Sequence, residues 1–182
     1  MTIQDRLWDI AVDQYGYITT HDARNAGIPV LELSKLAFRH QLVRVAHGVY
    51  RFDQLPVTQR DEYMRAVLWT GRPEAALSHD TALAIYELCD INPDTIHLTV
   101  PKNTRIRRTG ADYELHRQNL TATQLGWWEG IRAVTVPTAI EQGIQTGVAS
   151  GLLGQALTTA RARGLVTEVD HTRLRQLLTP YA

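Results

Sequence analysis

Lys35, Arg39, Arg44 and Arg51 are the first residues in this chain whose types and spacing suggest chemistry, namely contact with phosphate. Between Leu31 and Arg60 five basic residues stand against two acidic ones, a local surplus of three. Over all 182 residues the 19 Lys and Arg cancel the 19 Asp and Glu. A chain of zero net charge is not built to coat polyanions indiscriminately, so any such contact has to come from a local patch. A second basic run holds Lys102, Arg105, Arg107 and Arg108, offset only by Asp112 and Glu114. It suits either a second polyanion contact, a surface for an acidic partner, or a solvated loop.

Other residue types invite catalytic readings. Ser78-His79-Asp80 contains the side chains of a hydrolytic triad, but neighbours at a helix start point in different directions and make no relay by themselves. Ser78 reads instead as a helix N-cap and His79 as a packing or partner-facing residue. His97 and His116 are spaced to pair across strands, yet no carboxylate or thiol at ligand spacing accompanies them, so no metal is assigned. Pro93-Asp94, a strand and then Lys102 faintly resemble a metal-dependent nuclease. That chemistry needs an acid two residues before the lysine, where Val100 stands, unless Glu114 substitutes. Paired carboxylates after a glycine turn, as nucleotidyl transfer requires, are missing, as is a phosphate-cradling glycine fingerprint. No catalytic residue and no cofactor is assigned.

The elements that must position the first basic set lie between Tyr15 and Phe52. Tyr17-Ile18 reads as a short extended entry and Thr20 as the N-cap of a helix over HDARNA, closed by Gly27. Pro29 suits the first turn of a second helix, Val30 to His40, with Leu33, Leu36 and Ala37 on one face and Glu32, Lys35 and Arg39 on others. LVRVAHGVYRF then gives two β-rich runs around His47-Gly48, a hairpin signal. Helix, turn, helix and hairpin together read as a winged helix-turn-helix. A helix over Thr2 to Gln14, with Leu7, Ile10 and Ala11 on one face, completes it.

In that reading Glu32, Ser34 and Lys35 reach base edges and Arg39 a phosphate. Thr19, Thr20 and His21 offer a helix N-terminus to phosphate, and Arg44, His47 and Arg51 serve the wing. The same elements also suit a protein-docking module, because a fold does not fix a function.

The winged domain is placed at residues 1–56. Residues 57–182 form a mixed α/β domain with a small, mainly antiparallel sheet, making the whole α+β, and residues 57–72 are a bridging helix. Strands are expected over Ile96 to Pro101, Tyr113 to Arg117 and Ile131 to Pro137. Helices are expected over Ser78 to Leu88, Thr138 to Thr146, Val148 to Gly164 and His171 to Leu178. The apolar fraction of 44% supports packed cores. Cys89 is the only cysteine, so no intrachain disulfide forms. The N-terminus does not read as a signal peptide and no apolar run spans a bilayer, from which a cytoplasmic location is expected.

Five segments in order, YGYITTHDARNAGI, LVRVAHGVYRF, ALSHDTALAIYEL, IHLTVPK and RAVTVPTAIEQGI, resemble the AbiEi-type antitoxins of type IV toxin–antitoxin systems. The resemblance runs from about Leu7 to Gly164. It implies binding to inverted repeats in double-stranded operator DNA, repression of the chain's own operon, and a partner toxin of nucleotidyltransferase type, countered directly or functionally. The family carries arginine or lysine just before the wing glycine. Here His47 stands there, a side chain whose charge depends on pH near neutrality. Two other readings remain beside it: a protein-binding antitoxin that does not touch DNA, and the small metal-dependent nuclease.

Overall fold

The computed structural model describes residues 1–106 and 112–179. Among the described residues the chain divides into two compact units, 1–73 with Ile106 and 74–105 with 112–179.

The N-terminal unit begins with α1 (Ile3–Val12), whose start is fixed by reciprocal bonds. The Thr2 hydroxyl accepts from the Asp5 N–H, and the Asp5 carboxylate accepts from the Thr2 N–H. These satisfy N–H groups that a helix start leaves without partners. Strand β1 (Tyr17–Thr19) leads directly into α2 (Thr20–Asn25). The cap of α2 is Thr19, not Thr20: the Thr19 hydroxyl accepts from the Asp22 N–H at 3.1 Å while Asp22 accepts from the Thr19 N–H at 2.8 Å. Asp22, three residues after Thr19, completes a capping box with the first threonine, whereas Ala23 stands at that spacing from Thr20. Gly27, at φ +67, makes the left-handed turn out of α2. Pro29 then stands at the N-cap position of α3 (Val30–Phe38), one residue earlier than expected.

After α3 the chain forms β2 (Val43–Ala46) and β3 (Val49–Arg51), and the sheet order is β1-β3-β2, antiparallel throughout. Register slips between Arg44 and Ala46, a bulge that leaves Val45 without an opposing residue. Leu7, Ala11, Ile18, Ala23, Leu33, Leu36, Leu42 and Phe52 form one buried cluster, so three helices and the hairpin share a core. Helix α4 (Asp61–Trp69) belongs to the same unit.

The second unit holds β4 (Ala76–Leu77), α5 (His79–Ile85), β5 (Ile96–Val100), β6 (Tyr113–Arg117), β7 (Leu125–Trp128), β8 (Ile131–Val134), α6 (Val136–Thr146), α7 (Ser150–Ala162) and α8 (Glu168–Leu178). The strands form a mixed sheet in the order β6-β5-β4-β8-β7. β4 runs antiparallel to β5 and β7 to β8, while β5–β6 and β4–β8 are parallel. The sheet is therefore not the mainly antiparallel one expected, because hydrophobic alternation marks a strand without giving its direction. Leu83, Val134, Ile140, Leu153, Leu157 and Leu174 lie at the heart of the core where α5 to α8 pack. On β5, Thr99 is buried along with Leu98 and Val100, so this strand is covered on both faces rather than half-solvated.

Candidate nucleic-acid interface

Helix α3 is oriented by what it buries. Leu33 and Leu36 enter the core, and at about 100° per residue the opposite side of the helix centres on Leu31, Lys35 and Phe38. Those three are exposed, as are Ser34 and Arg39. The flank carrying Ser34 lies toward the hairpin, its hydroxyl 3.5 Å from that of Tyr50 on β3. Thus the second helix of the pair turns a complete face outward beside the wing, with Lys35 and Arg39 on it.

The expected contact residues separate into two groups. Lys35 bonds Glu32 at 2.7 Å along the helix. This exposed pair contributes little to stability and is readily exchanged for a phosphate. Ser34, Arg39, Arg44, His47 and His21 are exposed. Arg44 Nη2 stands 3.5 Å from His47 Nδ1 across the hairpin tip, and His21 Nδ1 is 3.1 Å from the Asn25 amide. Gly48 permits the tip: its φ is +72, and a Cβ there would meet the Thr20 hydroxyl at 3.0 Å.

Two expected residues are built into the unit instead. Arg51 is only 8% exposed. Its guanidinium donates to Asp61 at 3.1 and 3.3 Å and to the carbonyls of Phe52, Leu55 and Pro56 at 3.2, 3.0 and 3.1 Å. It also lies over the Tyr17 ring. The second carboxylate oxygen of Asp61 accepts from the N–H and hydroxyl of Thr58. Arg51 therefore holds the chain after β3 rather than serving the wing surface. Thr19 is likewise buried, its hydroxyl committed to Asp22. The Asp22 carboxylate already occupies the N-terminus of α2, which removes the attraction of that short helix for a phosphate. Thr20 is partly buried against the wing, its N–H bonded to the Gly48 carbonyl at 2.9 Å.

Sequence reasoning passed over Leu31 and Phe38, which are 62% and 86% exposed. A helical wheel drawn from Leu33 and Leu36 would have placed them at the centre of the outward face. In the second basic run, Lys102 and Arg105 are exposed, and Arg107 and Arg108 lie outside the described residues.

The second unit brings together histidines that are far apart in sequence. His97 Nδ1 and His116 Nε2 are 3.1 Å apart, and His79 stacks on His116 with ring centroids at 3.4 Å. His79 has a φ of +51, which turns its ring back so that Nδ1 meets the Ser78 hydroxyl at 2.9 Å. Ser78 occupies the N-cap position of α5 without a side-chain capping bond, so the expected cap is instead a Ser–His contact. That contact is not a nucleophile: Ser78 is fully buried. Gln142 of α6 ties the group together, accepting from the His79 N–H at 3.2 Å and donating to Gln118 at 2.9 Å. Burial first, then the adjacent His116 and His97, push the His79 imidazole down to about 3. Burial and then His97 also lower His116. The His79 and His116 rings consequently favour the neutral form, and the group serves as packed, hydrogen-bonded structure. Among the described residues no group of three or more His, Cys, Asp or Glu is arranged to hold a metal ion, and no helix is long and apolar enough to cross a membrane.

Residues 5–52 match the family described as "Transcriptional regulator, AbiEi antitoxin". The match runs from within α1 to the end of the hairpin, and covers the helix pair and the wing. The similarity to that family is therefore one of the N-terminal region; the resemblance of later segments stands on their residues alone. The chain is also similar to the crystal structure of RV2827C protein from Mycobacterium tuberculosis, at 13% identity and a TM-score of 0.48, over 96% of this chain and 80% of that one. No curated protein matches the chain.

Proposed function

We propose, with the similarity of the N-terminal region to the AbiEi antitoxin family as the premise, that this chain binds operator DNA and represses its own operon as the antitoxin of a type IV toxin–antitoxin system. The supporting observation is the outward face of α3, which carries Lys35 and Arg39 beside a hairpin tipped by Arg44 and His47. In this reading α3 enters the major groove, Lys35 and Ser34 reach base edges, and Arg39, Arg44 and His47 hold phosphates. Glu32 holds Lys35 in the free protein and is released to accept from a cytosine amino group. His21 lies at the margin of the interface. An inverted repeat takes two such units, supplied by a dimer or by two chains side by side. The second unit counters a nucleotidyltransferase-type toxin, directly or functionally, and no catalytic step is assigned to either unit. The setting of such a regulator is the cytoplasm.

The test is a gel-shift titration of the full chain on the duplex upstream of its own reading frame, against a scrambled duplex. Selective binding by the wild type, weakened in a Lys35→Ala/Arg44→Ala double variant that still folds, supports the assignment. Equal binding of both duplexes, or none, removes it. In that case the protein-binding antitoxin reading takes precedence. The nuclease reading is not favoured: Val100, where a metal-holding acid belongs, is an apolar side chain buried in β5.

A further inference from the structure

We infer that Leu31 and Phe38 read the methyl groups of thymines in the operator, making this a regulator that recognises T-bearing sites partly through apolar contact. The inference rests on the DNA-binding reading above and specifies the substrate of the same face.

Two large apolar side chains on the outward face of one helix form exposed apolar surface of the kind that marks an interaction site. Leu31 and Phe38 are exposed at 62% and 86%, although Leu33 and Leu36 of the same helix are buried. Leu31, Lys35 and Phe38 fall within a wedge of about 60° on the helix surface, diametrically opposite the core. The face therefore has an apolar side chain near each end and a cation between them, flanked by Arg39 and by Glu32, whose carboxylate bonds Lys35; the balance of charge on it is positive. That charge pattern selects a polyanion over an apolar protein groove as the occupant. The apolar ends then need an apolar feature within a polyanion. In B-DNA the major groove displays one such group, the C5-methyl of thymine.

Spacing supports the same occupant. Seven residues of α-helix separate Leu31 from Phe38, about 10 Å along the axis. That is roughly three base-pair steps of DNA. A helix lying along the groove would touch two thymines about three steps apart, with Lys35 over the intervening bases.

Replacing thymine by deoxyuridine removes the methyl and leaves every hydrogen-bonding atom in place, so it isolates the proposed contact. The upstream duplex, made once with thymine and once with uracil, is titrated with the full chain by fluorescence anisotropy. The wild type is expected to bind the uracil duplex more weakly, by roughly fourfold for each methyl contacted. Single thymine-to-uracil replacements should confine the loss to pairs of positions about three steps apart in each half-site. A Leu31→Ala/Phe38→Ala variant, altered only at exposed positions and checked for folding by circular dichroism, should bind both duplexes alike. Equal binding of the two duplexes by the wild type overturns the inference while leaving the DNA-binding reading intact. If selective binding to the upstream sequence is absent in both forms, the DNA reading falls, and this inference with it. Should the double variant dissolve a dimer in sedimentation while wild-type affinity ignores the methyls, the face is a self-association surface and the inference is wrong.

Discussion

Arg51 Nη2 meets Asp61 Oδ2 at 3.1 Å inside the N-terminal unit, with both side chains nearly withdrawn from solvent. The pair joins the last wing strand to the first residue of α4, and every other donor of the guanidinium described above ends on a nearby carbonyl. Removing one partner of such a buried pair leaves the other charge without compensation. Arg51→Ala is expected to lose about 3–5 kcal/mol of stability, seen as a lowered urea midpoint. Whatever folded protein remains should bind DNA with unchanged salt dependence, since this cation faces inward. A full-stability Arg51→Ala with a reduced salt slope would return Arg51 to the wing.

The histidine group predicts a pH effect in the second unit. The His79 imidazole is held near 3 in the folded chain, below its ordinary 6.5. Between those values the unfolded chain binds a proton that the folded chain does not. Stability from this site is complete above pH 6.5 and falls as pH drops toward 3. Across pH 7 to 5 the wild type should lose stability at a rate approaching 1 kcal/mol per pH unit. His79→Asn, with a side chain that tolerates the left-handed backbone, should flatten that slope. Denaturant melts at each pH decide it, and identical slopes for both proteins would show that His79 accepts a proton while folded.

Glycines of α6 and α7 should respond with opposite signs. A Cβ on Gly143 would stand 2.9 Å from Leu153 Cδ2 and 3.3 Å from Leu83 Cδ1, so the ends of two buried leucine side chains must shift to admit it. Gly143→Ala should therefore destabilise by about 1–3 kcal/mol. At Gly151 and Gly154 a Cβ meets nothing within 4 Å. Alanine there should stabilise by roughly 0.5–1 kcal/mol each, through reduced freedom of the unfolded chain. Thermal melts of the three variants test the contrast.

Much of the N-terminal unit was legible because its signals are local. Gly27 turns at positive φ, the His47-Gly48 turn links the hairpin, and Leu33 and Leu36 mark the buried face of α3. The second unit was less so. β4 has only two residues, Ala76 and Leu77, too short for any alternation to appear. β7 contains Gly126 within Leu125–Trp128, and a glycine there reads as a turn. Pro137 read as the end of a strand, whereas it sits in the first turn of α6. For the candidate site, residue type misled where burial decides. Arg51 looks like any wing arginine until Asp61 arrives from another element, ten residues on. Phe38 drew no reading, because a lone apolar side chain in a helix carries by itself no sign of its exposure. The pairing of His97 with His116 across strands was legible, but the stacking of His79 on them was not, since α5, β5, β6 and α6 meet there only in three dimensions.

The central claim is that α3 and the hairpin grip DNA through Lys35, Arg39, Arg44 and His47. The most direct measurement is the slope of log affinity against log salt for the upstream duplex, in the wild type and in Arg39→Ala and Arg44→Ala. The account predicts selective binding whose slope becomes shallower by about 1 for each cation removed from a phosphate, with the scrambled duplex bound far more weakly. A salt slope that neither substitution changes, or affinity that ignores sequence, would contradict it.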